Sequence, residues 1–253
     1  FGEINANDAK ASIKAWVETV AKERGIATDP DPAILEGAAA LAGVLRSNLV
    51  DAASMTADEF ADVSREIPLA PIFVSVLGGR ISEEYVLLAH RDGAIKAVRD
   101  LGGRSLVLFQ NPRTSMAGVW IDSLLLQEGL KPTAEYCGRI TQAAKLSKVV
   151  LPVFFRQSDA CLVTRRGFET MSELNPQVAR QLKVVAVSPE VVPTVFCFRA
   201  SYNPKIKNKL VAGLLDLHTT PAGQQVLTVF QSDKLEQRPV SCLESALQLL
   251  ANY

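Results

Sequence analysis

Histidine is almost absent from this sequence, with two residues in 253, and its four cysteines never form a Cys-x-x-Cys pair. That supply of soft ligands excludes the usual structural zinc sites. Charge of one sign is also lacking: Lys+Arg and Asp+Glu both number 27, for a formal net charge of zero. A neutral chain has no electrostatic footprint for DNA or RNA, so no nucleic-acid partner is expected. No stretch approaches the roughly 18 consecutive apolar residues that span a bilayer. The motifs G-x-S-x-G, G-x-x-x-x-G-K-[ST], G-x-G-x-x-G and H-E-x-x-H are missing, and with them the signatures of serine hydrolases, P-loop enzymes, dinucleotide folds and zincins. His90 and His218 have no partner set that suggests catalysis. The expectation is a protein that is not an enzyme and holds no cofactor or metal. The chain starts at Phe1 rather than Met, so any targeting segment is expected to be already removed.

What is present is ample apolar material, 48% of the residues, enough for one large domain or two ordinary lobes. NANDAKASIKAWVETVAKERG reads as a helix with Ile13, Trp16, Val17 and Val20 on one stripe, Asn7 or Asp8 as cap and Gly25 as stop. A second helix is expected in PAILEGAAALAGVLRSN, a short strand and turn over 48–56, and an extended segment in IPLAPIFVSVLGG. From residue 84 the pattern alternates: strands in EYVLLAH, RSLVLF, TAEYCGRI, VVLPVFF, DACLVTR, LKVVAV and PTVFCFR, with short helices in DGAIKAVRDLGG and after NPRTS. Three helices close the chain, two opening on Asn203-Pro204 and Thr220-Pro221. Alternation of this kind predicts α/β layers with mainly parallel sheets. Apolar strands run into Gly or Pro at Val74–Gly79 and Val185–Pro189. If both are crossings, 1–79 plus 185–253 form one lobe and 80–184 the other. Cys161 and Cys197 lie in apolar runs and read as buried, inert thiols, with one disulfide left open for an oxidising compartment.

The segment FQNPRTSMAGVW carries most of the functional signal. A strand enters a turn at Asn111 and Pro112, and a helix begins at Thr114 or Ser115. The first N–H groups of a helix lack internal partners, and the helix dipole favours negative charge there. Thr114, Ser115 and Met116 therefore frame either an ordinary cap or an anion site. Asp159, where a loop meets a strand, is either a turn residue or an acid for a ligand amine. Ser82 and Tyr85 begin a strand just past a proposed crossing, where they face a cleft or enter the core. Arg113, Arg165 and Arg166 are the nearest cations.

GAIKAVRDLGGRSLVLFQNPRTSMAG resembles the strand–loop–helix of type II periplasmic solute-binding proteins, and FFRQSDACLVTRRGFETM resembles their later strand. With NANDAKASIKAW and PAGQQVLTVFQ, the order of parts is similar to the phosphate/phosphite/phosphonate-binding family of ABC transporters. That family's first strand precedes the segment beginning at Phe1, so the chain is expected to lack it. The resemblance implies two α/β lobes joined by two hinge strands, with the ligand in the cleft between them. It puts an oxyanion on the helix start at Thr114 and Ser115, and matches Asp159 to the acid that meets a ligand amine. Glu83 and Tyr85 are the nearest matches to contacts at the start of the second lobe. A phosphonate-contacting histidine falls near Ile140 and Thr141, where this chain has none. The implied protein is a monomer, periplasmic or lipid-anchored, with an ABC permease as partner. Its small oxyanion is captured by lobe closure, with Asn7, the residues before it, and Ser188 as candidates on the closing side. Two alternatives are a ligand-sensing module of a regulatory system and an enzyme on the same fold.

Overall fold

The structure is a computed structural model that describes residues 6–253. Residues 1–5, part of the proposed closing side, lie outside the described residues. The chain divides into two units. The first runs through Ile81 and resumes over Thr194–Cys242; the second takes Ser82–Pro193 and Leu243–Tyr253.

The first unit opens with α1 (Ala6–Arg24), α2 (Ala38–Arg46), β1 (Ala52–Thr56), α3 (Ala57–Val63) and β2 (Leu69–Val76). The second holds β3 (Tyr85–His90), β4 (Ser105–Phe109), α4 (Ala117–Gln127), α5 (Thr133–Tyr136), β5 (Arg139–Ala143), α6 (Leu146–Phe154), β6 (Ala160–Thr164), α7 (Arg165–Leu174), α8 (Pro176–Gln181) and β7 (Leu182–Val187). The chain returns to the first unit through β8 (Thr194–Arg199), α9 (Pro204–Leu215), α10 (Pro221–Val229) and β9 (Lys234–Arg238), and ends in the second as α11 (Glu244–Ala251).

In the first unit the strands run β1–β8–β2–β9, every neighbour antiparallel. Trp16 and Val20, one helical turn apart on α1, pack with Phe73, Phe198, Leu214, Leu217, Val226 and Leu227. The terminal helix caps work as the sequence predicts. Asn203 Oδ1 accepts the Lys205 N–H at 3.0 Å, and Thr220 Oγ1 accepts that of Gly223 at 3.1 Å. Gly25 ends α1 with φ at +60°, while Asn7 and Asp8 lie inside the helix rather than capping it.

The second unit's sheet is β5–β4–β6–β3–β7. β5, β4 and β6 are parallel; β3 and β7 are antiparallel additions. The expectation of mainly parallel sheets therefore holds only for these three strands. β3 sits inside the sheet with all six residues buried, covered on both sides. On one face Val86, Leu88, Val107, Cys161 and Val163 meet Val149, Val150 and Val153 of α6.

Several expected elements differ. VVLPVFF is part of helix α6, not a strand, and keeps Pro152 inside it; Val149, Val150 and Val153 recur at helical spacing, which a short apolar run hides. TAEYCGRI splits into α5 and the start of β5. DGAIKAVRDLGG makes only a 3₁₀ turn at Val98–Leu101, because the Asp100 carboxylate takes the Lys96 and Ala97 N–H groups and tightens the chain. α2 begins late, after Gly37 with φ at +82°. α3 was not anticipated, although Thr56-Ala-Asp-Glu59 is a capping box.

The crossings fall later than expected. β7 pairs along β3, and the Glu83–Val191 bridge extends that pairing, so the chain leaves the second unit only after Pro193. The last eleven residues belong to the second unit too, where α11 lies against α4 and buries Leu243, Ala246 and Leu249. Cys161 and Cys197 are buried, as expected. Loss of solvation pushes both thiols up, Cys197 to about 12, so neither ionises near neutral pH. No helix among the described residues is long and apolar enough to cross a membrane.

Candidate functional site

β4 delivers the chain to the carboxyl edge of the parallel strands, where open α/β sheets place their ligands. There Gln110 donates its N–H to Ala143 O at the end of β5 (3.0 Å). Asn111 then starts a tight 3₁₀ turn, Pro112–Thr114, that leads through Ser115 and Met116 into α4. The turn holds itself. Asn111 Oδ1 accepts from the Arg113 N–H at 2.9 Å, and the Asn111 N–H donates to Thr114 Oγ1 at 3.1 Å. The buried Thr114 hydroxyl faces inward, 2.6 Å from Phe109 O and 2.8 Å from Asn111 O.

Two further ties hold the turn from outside. Arg113 Nη1 meets Glu83 Oε1 at 2.8 Å, with both side chains nearly buried at 12% and 9% exposure. The Tyr85 hydroxyl donates to Arg113 O at 3.0 Å. Ser115 is half-buried, and its hydroxyl makes a long bond of 3.3 Å to Pro193 O.

Beside this turn lies a hollow of about 270 Å³ lined by Leu108, Gln110, Asn111, Ser115, Gly118, Gln142 and Leu162, among others. Among the described residues that line it, none is charged. It offers the carboxamides of Gln110, Asn111 and Gln142, the Ser115 hydroxyl, and the first turn of α4, whose N–H groups have no partner inside the helix. Such a set suits a small group rich in acceptor oxygens.

The structure brings Asn111, Thr114 and Ser115 together at this hollow. Met116 is fully buried, so only its backbone belongs to the turn. Tyr85 is fully buried with its ring 6.5 Å from Trp120, and it supports the turn from behind. Ser188, also buried, accepts the Tyr85 N–H and donates to Pro189 O, each at 2.7 Å, which commits its hydroxyl. Ser82 donates to Glu190 at 2.6 Å. Asn7 stands in the first turn of α1, in the other unit.

Two expected site residues stand away from the hollow. Thr141 pairs with Val107, while Gln142 pairs with Leu108. Side chains alternate along a strand, so it is Gln142 that joins Leu108 at the hollow and Thr141 that takes the other face. Asp159 precedes β6 at the opposite edge of the sheet, beside Ser105, roughly 13 Å of strand away from the turn. There it accepts from the Ser105 N–H (2.9 Å) and hydroxyl (2.7 Å). Burial disfavours its charge, but the two Ser105 bonds and nearby Arg104 outweigh that and hold the carboxyl below its usual range. The stability it lends is present above the ordinary carboxylate pKa and lost as pH falls through the lowered one. Asp159→Asn is therefore expected to lower stability by no more than about 1 kcal/mol, because the partly exposed side chain is screened. Anion affinity measured by calorimetry should stay within about twofold of wild type (a difference of roughly 0.4 kcal/mol); a larger loss would return Asp159 to the site.

Gln110, Gln142 and Gly118, which line the hollow, are not among the residues that the sequence singles out, and it names Glu83 and Arg113 without pairing them. The parity that groups Leu108, Gln142 and Leu162 exists only once the strand register is known.

The sequence matches, over residues 4–238, a family described as the periplasmic substrate-binding protein of phosphonate ABC transporters. A Xanthomonas citri protein solved bound to ATP shares 17% identity with a TM-score of 0.73, covering 97% of this chain and 92% of that one. A binding-protein component of an ABC phosphonate transporter from Pseudomonas aeruginosa shares 18% with a TM-score of 0.64, covering 98% and 85%. PhnD1 from Prochlorococcus marinus, solved in complex with methylphosphonate, shares 12% with a TM-score of 0.65, covering 99% and 96%. At these identities the likeness speaks to the fold, which is the type II periplasmic-binding-protein fold. No curated protein sequence is similar enough to count as a match.

Proposed function

The chain belongs to the family of periplasmic substrate-binding proteins of phosphonate ABC transporters, and on that premise we propose that it captures a small oxyanion on the Asn111–Gly118 turn. The family makes it an extracytoplasmic solute-binding protein that hands its cargo to a membrane permease. The observation that carries the ligand class is the hollow at the start of α4. Its turn satisfies its own side chains, and what remains to face the hollow is a set of neutral donors. Neutral donors in fixed positions stabilise an anion without the desolvation cost of burying a counter-charge.

The same edge of the sheet argues for a ligand without an ammonium group. Its acids are already engaged, Glu83 by Arg113, Glu84 by Arg165 and Glu190 by the Ser82 hydroxyl, and Asp159 is elsewhere. Phosphite, phosphate or a short alkylphosphonate fits better than an aminoalkylphosphonate. The reading further includes no turnover, a monomeric chain that is periplasmic or lipid-anchored, and no nucleic-acid partner.

A thermal-shift panel of phosphate, phosphite, methylphosphonate, sulfate, a sulfonate and 2-aminoethylphosphonate tests it. A ligand at about 100 times its Kd adds roughly 2.7 kcal/mol, which at this chain length raises Tm by roughly 5–10 °C. One of the first three should give that rise, and the aminophosphonate a smaller one. Silence from every phosphorus oxyanion would remove the proposed ligand class.

A further inference from the structure

Within the Asn111–Ser115 turn, the side-chain hydrogen bonds differ in how easily they can be exchanged. Asn111, Thr114 and Arg113 are fixed by short bonds to the turn's own backbone or to the buried Glu83 carboxylate. Ser115 is the exception, since its hydroxyl reaches Pro193 O at 3.3 Å, past the usual range for an O–H donor. Ser115 also lines the hollow. Pro193 is the last residue before the chain passes back into the first unit.

We propose that Ser115 is a positioning residue that reports occupancy of the hollow to this crossing by changing its hydrogen-bond acceptor. The inference rests on the reading of the turn as an anion site. A serine hydroxyl has one hydrogen to donate. Without ligand it goes to the Pro193 carbonyl, in a long neutral bond. When an oxyanion sits on the first turn of α4, the same hydrogen goes to the anion, because charge-assisted bonds are shorter and about twice as strong as neutral ones. Pro193 O is then released. The rest of the turn stays in place, held by Glu83, Tyr85 and Thr114, so the exchange is confined to Ser115 and delivered to one peptide unit, Pro193–Thr194.

That peptide unit can be read directly. In the full chain, NMR titration with inorganic phosphate and with methylphosphonate should move the Gly118 amide, as binding at the turn requires. The Pro193 carbonyl carbon and the Thr194 amide nitrogen should move with the same midpoint. In Ser115→Ala without ligand, both Pro193–Thr194 resonances should already lie at the ligand-bound position and move no further on titration. Affinity should fall about tenfold, as for one lost hydrogen bond to a charged group. Ser115→Thr keeps a hydroxyl and should restore the wild-type pattern. The proposal is overturned if unliganded Ser115→Ala leaves the Pro193 carbonyl where wild type has it, or if Gly118 shifts in wild type while Pro193 does not. If neither anion moves Gly118, the anion-site reading itself fails and takes the switch with it.

Discussion

Gly118→Asp should abolish oxyanion binding while leaving the unliganded protein at least as stable as wild type. Gly118 is the second residue of α4 and lines the hollow. A Cβ added there meets nothing within 4 Å, so the new side chain fits. A carboxylate in the first turn of a helix is favourable by about 0.3–1 kcal/mol, and replacing a helical glycine removes an entropic cost of similar size. The folded protein therefore loses nothing. An incoming anion, however, would sit roughly 5 Å from a fixed negative charge. At an effective dielectric constant near 20, that repulsion is about 3 kcal/mol, or more than a hundredfold in Kd. The added carboxylate also occupies the N–H groups on which the proposed anion site relies. Gly118→Asn, of the same size without the charge, should lose far less. Calorimetry with the tightest-binding anion of the thermal-shift panel, alongside unliganded Tm, separates the two effects. Wild-type affinity in Gly118→Asp would mean the anion binds elsewhere.

Gly223→Ala should be among the most damaging single-methyl additions in the protein. Gly223 lies in α10, within the PAGQQVL segment, where Thr220 caps its N–H. A Cβ there would stand 1.9 Å from Leu217 O and 2.7 Å from the Leu217 carbonyl carbon. Both are backbone atoms, and neighbouring Leu217 is buried in the core that α10 shares with Trp16 and Val20, so nothing flexible can yield. Overpacking of this kind costs typically 1–3 kcal/mol and sometimes more. With no side chain to move, about 3 kcal/mol is expected, a fall in Tm of roughly 6–12 °C for a chain of this length. Differential scanning calorimetry should show the drop, while Gly118→Ala, in open space, should show none. An unchanged midpoint in Gly223→Ala would mean that α10 is free to slide.

The Gly223 result also shows how a sequence motif becomes legible. PAGQQVL is recognisable as a pattern, and its Thr-Pro start declares a helix by capping chemistry alone. The requirement for glycine three residues after the cap comes from a carbonyl that the preceding turn brings beneath it. The turn before α4 divides in the same way. Asn-Pro-Arg-Thr-Ser announces a helix start, and the dipole argument makes that start attractive to negative charge. Which hydroxyl stays inside the turn was not legible. Thr114 and Ser115 are equivalent as letters, but the turn directs the first into its own carbonyls and leaves the second at the hollow.

By itself the sequence determined the α/β character, the helix starts at Asn203 and Thr220, the strands β3, β4, β6 and β7, and the turn after β4. These depend on caps, turns and apolar spacing within a few residues of one another, and such short-range chemistry is carried by the chain wherever it lies. Strand register, sheet direction and the sheet edge on which an acid falls were decided only by the tertiary structure. Asp159 and Thr141 fall away from the hollow beside the turn, and Gln142 and Gly118 line it, because a side chain's surroundings depend on residues tens of positions away, and a shift of one residue along a strand turns it to the opposite face.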